Sequence, residues 1–197
     1  MAYNVLDIAK KLIKMADDDI ANGGDNLTNL KLQKLLYYQQ GFHLAKFDSP
    51  LFNEDVEAWM YGPVVPVAYD YYQQYGAKSL PVEKDVIVLP DEEESFFYEV
   101  YDAFREFSAI GLMNMTHREK PWTSVEPHNR GTVIPQDLMK AYFKTRVYRD
   151  ELFDTDGYGR LVLSDNMREA VYKAEQSLAA GDCLTEEMFQ TRFAKWL

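Results

Sequence analysis

Residues 27–47 decide the fold and read LTNLKLQKLLYYQQGFHLAKF. One face of this stretch carries Leu32 and Leu36 at helical spacing, and a second face carries Tyr37 and Leu44. A helix that is apolar on two sides packs against neighbours on both of them. We therefore predict one long helix over residues 27–47, buried at the centre of the fold.

Two residues define this predicted helix more closely. Thr28 is the expected N-cap, because its hydroxyl can accept from a backbone N–H of the first turn. Gly41 costs about 1 kcal/mol relative to alanine inside a helix. We expect that cost to be offset by the close approach of another backbone at this position.

Apolar periodicity and capping residues predict further helices around the central one. They are expected at residues 4–22, 63–75, 91–107, 108–115 and 135–146. In the last of these, Leu138, Ala141 and Tyr142 are predicted to face inward. A long loop is expected over residues 116–134, and loops of this length often carry function.

The β content is predicted to be small. Alternation near Val56 and a β-branched run at residues 86–89 indicate two strands that pair with each other, and residues 160–163 are a third candidate. The expected fold is mainly α, or α+β with a minor β element. It is a compact multi-helix bundle around a central buried helix, with a small antiparallel hairpin or sheet.

Composition narrows the function class. The 197 residues include 21 Lys and Arg against 32 Asp and Glu, a net charge of −11. Nucleic-acid binding is not expected, since it depends on cations that neutralise phosphates. No apolar run reaches the ~18 residues of a membrane span, and no signal peptide is evident. The single cysteine, Cys183, forms no internal disulfide and fits a reducing cytoplasm.

Three blocks together resemble a known family. They are LQKLLYY at residues 32–38, WMYGPVVPVAYDYYQQYG at residues 59–76 and MTHREKPW at residues 115–122. In this order and spacing they resemble the Panacea domain, the antitoxin domain of SocA-like and GepA-like phage-associated proteins. The resemblance extends over approximately residues 3–143. It divides the chain into a Panacea-like helical core, residues 1–146, and a C-terminal extension, residues 147–197. The extension is expected to hold a short strand and two helices, docked on the core or projecting from it.

The resemblance implies an antitoxin that neutralises a cognate toxin by direct contact, in a phage- or mobile-element-associated pair. Delivery of the partner to a protease is an alternative. No cofactor or metal is expected. The aromatic residues of the blocks and of the last helix are either partner contacts, as aromatics often are at interfaces, or core residues. The candidates are Trp59, Tyr61, Tyr69, Tyr72, Thr116, His117, Trp122, Phe189, Phe193 and Trp196.

A catalytic role is the rival interpretation. The chain has no GxSxG, phosphate-binding glycine loop, CxxC or HExxH motif. A hydrolase-like reading makes His117 a general base oriented by Glu119 or by another acid in a cleft. The structural reading makes His117 a hydrogen-bonded corner that packs on Trp122, and we favour it, so no enzyme is expected. His43 is predicted to be a core histidine, and the spacing of His117, His128 and Cys183 matches no zinc pattern.

Overall fold

The computed structural model describes residues 2–20, 27–147, 153–155 and 161–163. The described residues form seven α-helices and four short strands, in line with the predicted fold class. The helices are α1 (Val5–Ile20), α2 (Asn29–Phe47), α3 (Pro66–Tyr72), α4 (Asp91–Phe104), α5 (Ala109–Thr116), α6 (Lys120–Thr123) and α7 (Gln136–Val147). The strands are β1 (Glu57–Trp59), β2 (Gly62–Val64), β3 (Phe153–Thr155) and β4 (Leu161–Leu163).

Helix α2 is the centre of the fold, as predicted. It contacts α1, α3, α4, α5, α7 and β2, and most extensively α7. Every residue from Asn29 to Ala45 except Leu30, which is half-buried, is buried. Thr28 is confirmed as its N-cap, since its hydroxyl accepts from the backbone N–H of Lys31. A helix surrounded on all sides explains why apolar residues occur on more than one face.

The buried polar side chains of α2 hold neighbouring loops by their backbone groups. The Gln40 Oε1 accepts from the backbone N–H groups of Leu51 and Phe52, at 2.9 and 3.2 Å. The Gln33 Oε1 accepts from the backbone N–H of Val65 at 2.9 Å. Because a buried polar group without a partner is costly, each of these amides fixes the path of the chain that passes it.

The hairpin differs from the predicted sheet. Strand β1 pairs antiparallel with β2, with Trp59 opposite Gly62, and not with residues 86–89. Residues 86–89 form no strand. On its other edge, β1 is bridged by Val133, which lies opposite Glu57. A two-residue turn closes the hairpin at lower entropic cost than a pairing of segments about 30 residues apart, which explains the correction.

The start of α3 also differs from prediction. The helix begins at Pro66, not at Pro63, because residues 62–64 belong to β2. Pro66 occupies the first helical turn, where its missing N–H has no partner to lose. After Tyr72 the chain forms a 3-10 turn over Gln73–Tyr75. This helical segment ends at Gly76, whose φ is +55°.

A second two-stranded sheet follows α7. Strand β4 confirms the strand predicted at residues 160–163, but its partner is β3, with Phe153 opposite Leu163. The predicted helices after residue 163 lie outside the described residues. Strand β4 contacts α4. The proposed division at residues 146 and 147 stays a prediction.

Gly41 lies against an aromatic ring, where the sequence had suggested an approaching backbone. A Cβ at Gly41 would be 2.2 Å from Cε2 of Phe143 on α7. The ring of Phe143 packs on Tyr37 and Phe42, at centroid distances of 5.4 and 4.8 Å. The absence of a side chain at Gly41 therefore makes room for Phe143 in the centre of the core.

The inward face of α7 is shifted by one residue from the predicted one. Met139 and Phe143 are buried, whereas Ala141 is exposed and Leu138 and Tyr142 are half-buried. Met139 and Phe143 are four residues apart and share one helix face. Phe143 fills the space above Gly41, which fixes this register. None of the described helices is long and apolar enough to span a bilayer.

Candidate functional site

The three motif blocks meet around one buried polar centre. Lys34 of the first block is fully buried, and its Nζ donates to the backbone carbonyl of Pro63 in the second block at 2.9 Å. No carboxylate of the described residues pairs with Lys34. Burial therefore lowers the pKa of the Lys34 amine to about 7, because the charged form loses its hydration.

Gly62 brings the hairpin against this lysine. Its φ of +88° is in the left-handed region that favours glycine. A Cβ at this position would lie 2.6 Å from Oγ1 of Thr116 and 3.0 Å from Nζ of Lys34. Glycine is thus required at position 62 for two reasons. Its backbone conformation favours glycine, and Lys34 of the first block and Thr116 of the third block come too close to leave room for a side chain.

His117 ends α5 beside the same centre. Burial and, less strongly, the charges of Lys34 and His128 lower the pKa of its imidazole to about 4, whereas a hydrogen bond with the backbone of Met60 opposes the shift. Its Nε2 is buried and has no hydrogen-bond partner. The ring is therefore neutral at neutral pH and supports the hairpin turn at Met60.

Trp122 joins the third block to the hairpin. Its Nε1 donates to the backbone carbonyl of Trp59 at 2.9 Å. The rings of His117 and His128 both stack on its indole, at centroid distances of 4.2 and 3.6 Å. His128 also contacts the carbonyl of Trp122 through Nε2 at 3.1 Å. The hairpin turn consequently rests on a rigid aromatic stack.

A half-exposed aromatic surface lies on the hairpin. The indole of Trp59 packs edge-on against Tyr69 at 4.9 Å, and the guanidinium of Arg130 lies 5.4 Å from the Trp59 ring centre. Arg130 also pairs with Asp70. Trp59 Nε1 donates to Glu57 at 2.7 Å. Aromatic and arginine side chains in this arrangement are typical of protein-binding surfaces.

Glu119 lies in a separate part of the centre. It is 5% exposed and accepts hydrogen bonds from the hydroxyls of Tyr37 and Tyr38, at 2.9 and 3.2 Å. Burial raises its pKa to about 7, against the opposing effects of the two tyrosines and of Arg146. The carboxyl therefore links the third block to the first one through buried hydrogen bonds.

Comparison with known proteins finds similarity over the part of the chain that contains the three blocks. Residues 32–123 match the family described as Antitoxin SocA-like, Panacea domain. This segment, slightly under half of the 197 residues, is similar to that family. The match is narrower than the span of residues 3–143 that the motifs suggested, but it includes all three blocks.

Antitoxin SocA from Caulobacter vibrioides (strain NA1000 / CB15N) is 41% identical to this chain over 64 residues. The alignment covers 31% of this chain and 34% of that protein, so the similarity spans about a third of each. No solved structure matches the chain. Both similarities therefore concern the segment that holds the three blocks.

The structure separates the predicted site residues of the Panacea domain into buried and accessible ones. Tyr72 and Thr116 are buried, and the Thr116 hydroxyl donates to the carbonyl of Met113. Trp59, Tyr61 and Tyr69 are half-buried, as are His117 and Trp122. Phe189, Phe193 and Trp196 lie outside the described residues.

Some residues of the Panacea domain were not singled out from the sequence. Lys34 and the inward role of Glu119 were missed, although both lie inside the motif blocks. A lysine in the middle of an otherwise apolar helical face is the signal that points to Lys34. Arg130 was missed because it lies outside the blocks and contacts Trp59 only through the fold.

The pairing of His117 with Glu119 on which the rival catalytic interpretation depends does not form. Glu119 is bonded to Tyr37 and Tyr38, and His117 contacts Trp122 and the Met60 backbone. His43 is a core histidine whose Nδ1 lies 2.8 Å from the carbonyl of Ser49. Within the described residues no group of three or more His, Cys, Asp or Glu side chains could hold a metal.

Lys34→Met tests the buried amine. The pKa of Lys34 is lowered in the folded state, so between about pH 7 and pH 10.5 the unfolded chain binds a proton that the folded chain does not. The stability of the unmodified protein should therefore rise relative to that of Lys34→Met across this window. Urea unfolding of both proteins at several pH values measures this difference, and a constant difference would contradict it.

Proposed function

We propose that this protein is an antitoxin that neutralises a cognate toxin by direct contact and acts by binding rather than by catalysis. The match of residues 32–123 to the SocA-like Panacea family carries the proposal. The relative that it resembles is named Antitoxin SocA. We place the pair in the cytoplasm and on a phage or mobile element, as the resemblance implies.

The half-exposed surface around Trp59 supports a binding role. Trp59, Tyr69 and Arg130 combine aromatic area with a cation, and Met60 at the hairpin turn is 63% exposed. Tyr71 on α3 is also exposed. Exposed apolar side chains beside half-buried aromatics are typical of a patch that a partner covers. We propose that this surface occludes the active site or substrate groove of the toxin.

Co-expression with the neighbouring open reading frame tests the function. Growth is recorded with each protein alone and with both, followed by co-purification from the cells that hold both. A toxic neighbour that is rescued and elutes in one complex supports the proposal. A harmless neighbour that does not co-purify contradicts it. Inhibition of the purified toxin without added protease distinguishes occlusion from delivery to a protease.

Met60→Asp and Trp59→Ala test the surface. Each is expected to weaken binding of the neighbouring gene product by about 30-fold or more, the loss typical of a central interface residue. Isothermal titration calorimetry measures the affinity. Tyr98→Ala is the matched control, because Tyr98 is a half-exposed aromatic on α4 and not on the hairpin. Equal losses in all three variants would contradict the assignment of the surface.

A further inference from the structure

A positively charged corner lies beside the hairpin turn. Both cations are exposed: Arg118 lies in the turn between α5 and α6, and Lys120 is the first residue of α6. Glu119 lies between them in sequence, but its carboxyl is turned inward to Tyr37 and Tyr38. The one carboxylate that local sequence offers to these cations is thus withdrawn from the surface. Two adjacent positive charges remain exposed on a protein with a net charge of −11.

Arg118 differs from the other arginines of residues 2–20 and 27–147. Arg105 pairs with Asp19 and Asp102, and Arg130 pairs with Asp70. Arg146 lies over the ring of Tyr142 at 4.5 Å. In this part of the chain the guanidinium of Arg118 has neither an ion pair nor a hydrogen bond. An arginine side chain has five donors in a fixed fork, which suits a carboxylate of another molecule.

The corner is held rigidly next to the exposed Met60. His117, which precedes Arg118, stacks on Trp122 and is bonded by the backbone of Met60. Trp122 in turn donates to the carbonyl of Trp59. The segment that carries Arg118 and Lys120 and the hairpin turn that carries Met60 are therefore fixed to each other. A surface that is ordered before binding loses less entropy on association.

We propose that Arg118 and Lys120, together with Met60, form the docking surface for an acidic segment of the toxin. The segment has carboxylates that pair with the two cations and an apolar side chain that covers Met60. This inference rests on the proposed antitoxin function and names the chemistry of its partner. Charge complementarity is the reason for this choice, since a protein with a net charge of −11 repels an acidic segment except where cations are exposed.

Charge reversal tests the docking surface. The double variant Arg118→Glu/Lys120→Glu is compared with Lys78→Glu/Lys84→Glu, which makes the same charge change in the segment between α3 and α4. Lys78 and Lys84 are also exposed and form no ion pair among the described residues. The probe is the purified product of the neighbouring open reading frame. Surface plasmon resonance at low and at high salt gives the association and dissociation rates.

The Arg118/Lys120 variant is expected to bind about 10- to 100-fold more weakly, mainly through slower association, and to lose most of the salt dependence of the unmodified protein. The Lys78/Lys84 variant should bind within about threefold of the unmodified protein. Thermal unfolding verifies that both variants fold. Arg118→Ala/Lys120→Ala provides a milder change if the reversal disturbs folding.

The outcomes separate the two proposals. If the unmodified protein does not bind the neighbouring product, the antitoxin proposal fails, and the docking surface fails with it. If the unmodified protein binds and both charge reversals weaken binding equally, or neither does, the docking surface is overturned while the antitoxin function stands. A selective loss in the Arg118/Lys120 variant supports both.

Discussion

Gly41→Ala is expected to lower the free energy of unfolding by about 1–2 kcal/mol. The new methyl group would lie 2.2 Å from Cε2 of Phe143, which is far inside van der Waals contact. The ring cannot move away without displacing its neighbours, because it packs against Tyr37, Phe42 and Tyr142. Overpacking of this kind costs about 1–3 kcal/mol, and the ~1 kcal/mol that alanine contributes through helix propensity offsets only part of the cost of so close a contact. Urea unfolding monitored by circular dichroism measures the change.

Gly111→Ala is the matched control for this substitution. Gly111 is also in a helix, but a Cβ there would meet Oγ of Ser108 at 3.3 Å and no ring atom. This variant should be neutral or slightly more stable, because helix propensity dominates where space is available. The double variant Gly41→Ala/Phe143→Leu should recover part of the loss. A Gly41→Ala protein as stable as the unmodified one would show that the ring is not confined.

The central helix was predictable because its signals are local. The residues of α2 are apolar on two faces, and Thr28 precedes them at the capping position, so existence, start and burial all follow from about 20 consecutive residues. The same holds for α4 and for the Ser108 cap of α5, whose hydroxyl accepts from the backbone N–H of Gly111. Patterns contained within one element need no knowledge of its neighbours.

The hairpin and the register of α7 were not predictable in this way. Pro63 and Pro66 both suit a helix start, and only the pairing of Trp59 with Gly62 decides between them. On α7 the inward residues depend on the space that Gly41 leaves for Phe143. Both features are set by residues distant in sequence, so a reading of each segment by itself assigns them wrongly.

The site was predictable only in its position along the chain. The motif blocks identify His117, Trp122 and Trp59, which the fold brings together through the Trp122–Trp59 hydrogen bond. The motif blocks do not show which way the Glu119 side chain points. A carboxylate close to a histidine in sequence suggests a pair with His117, and that pair does not form. The two buried tyrosines of α2 compete for that carboxylate, and they are visible only when α2 and the α5–α6 turn are placed together.

Glu119→Ala is expected to cost about 3–5 kcal/mol at pH 6. The substitution leaves the buried hydroxyls of Tyr37 and Tyr38 without their acceptor, at about 1–3 kcal/mol for each unsatisfied group, and adds a small cavity. Glu119→Gln should cost much less, since the amide keeps the shape and offers one oxygen to a tyrosine hydroxyl. Denaturant unfolding of the three proteins measures both losses.

The pH dependence of the free energy of unfolding shows whether Glu119 acts as a buried ionisable group or only fills space. The pKa of Glu119 is raised to about 7 in the folded state, so between about pH 4.5 and pH 7 the folded chain holds a proton that the unfolded chain releases. Its contribution to stability is therefore complete below about pH 4.5 and is lost as the pH rises through 7. The unmodified protein should lose roughly 2–3 kcal/mol relative to Glu119→Gln between about pH 5 and pH 8.

The comparison with Glu119→Gln is needed because other buried groups titrate in the same range. Burial lowers the pKa of His117 and of His43, so their contributions to stability change with pH in the opposite direction. Both proteins contain these histidines, and their effect cancels in the difference. A difference that stays flat from about pH 5 to pH 8 would mean that Glu119 is ionised throughout. The tyrosine pair would then bind a buried carboxylate anion, and Arg146 would be the cation that compensates it.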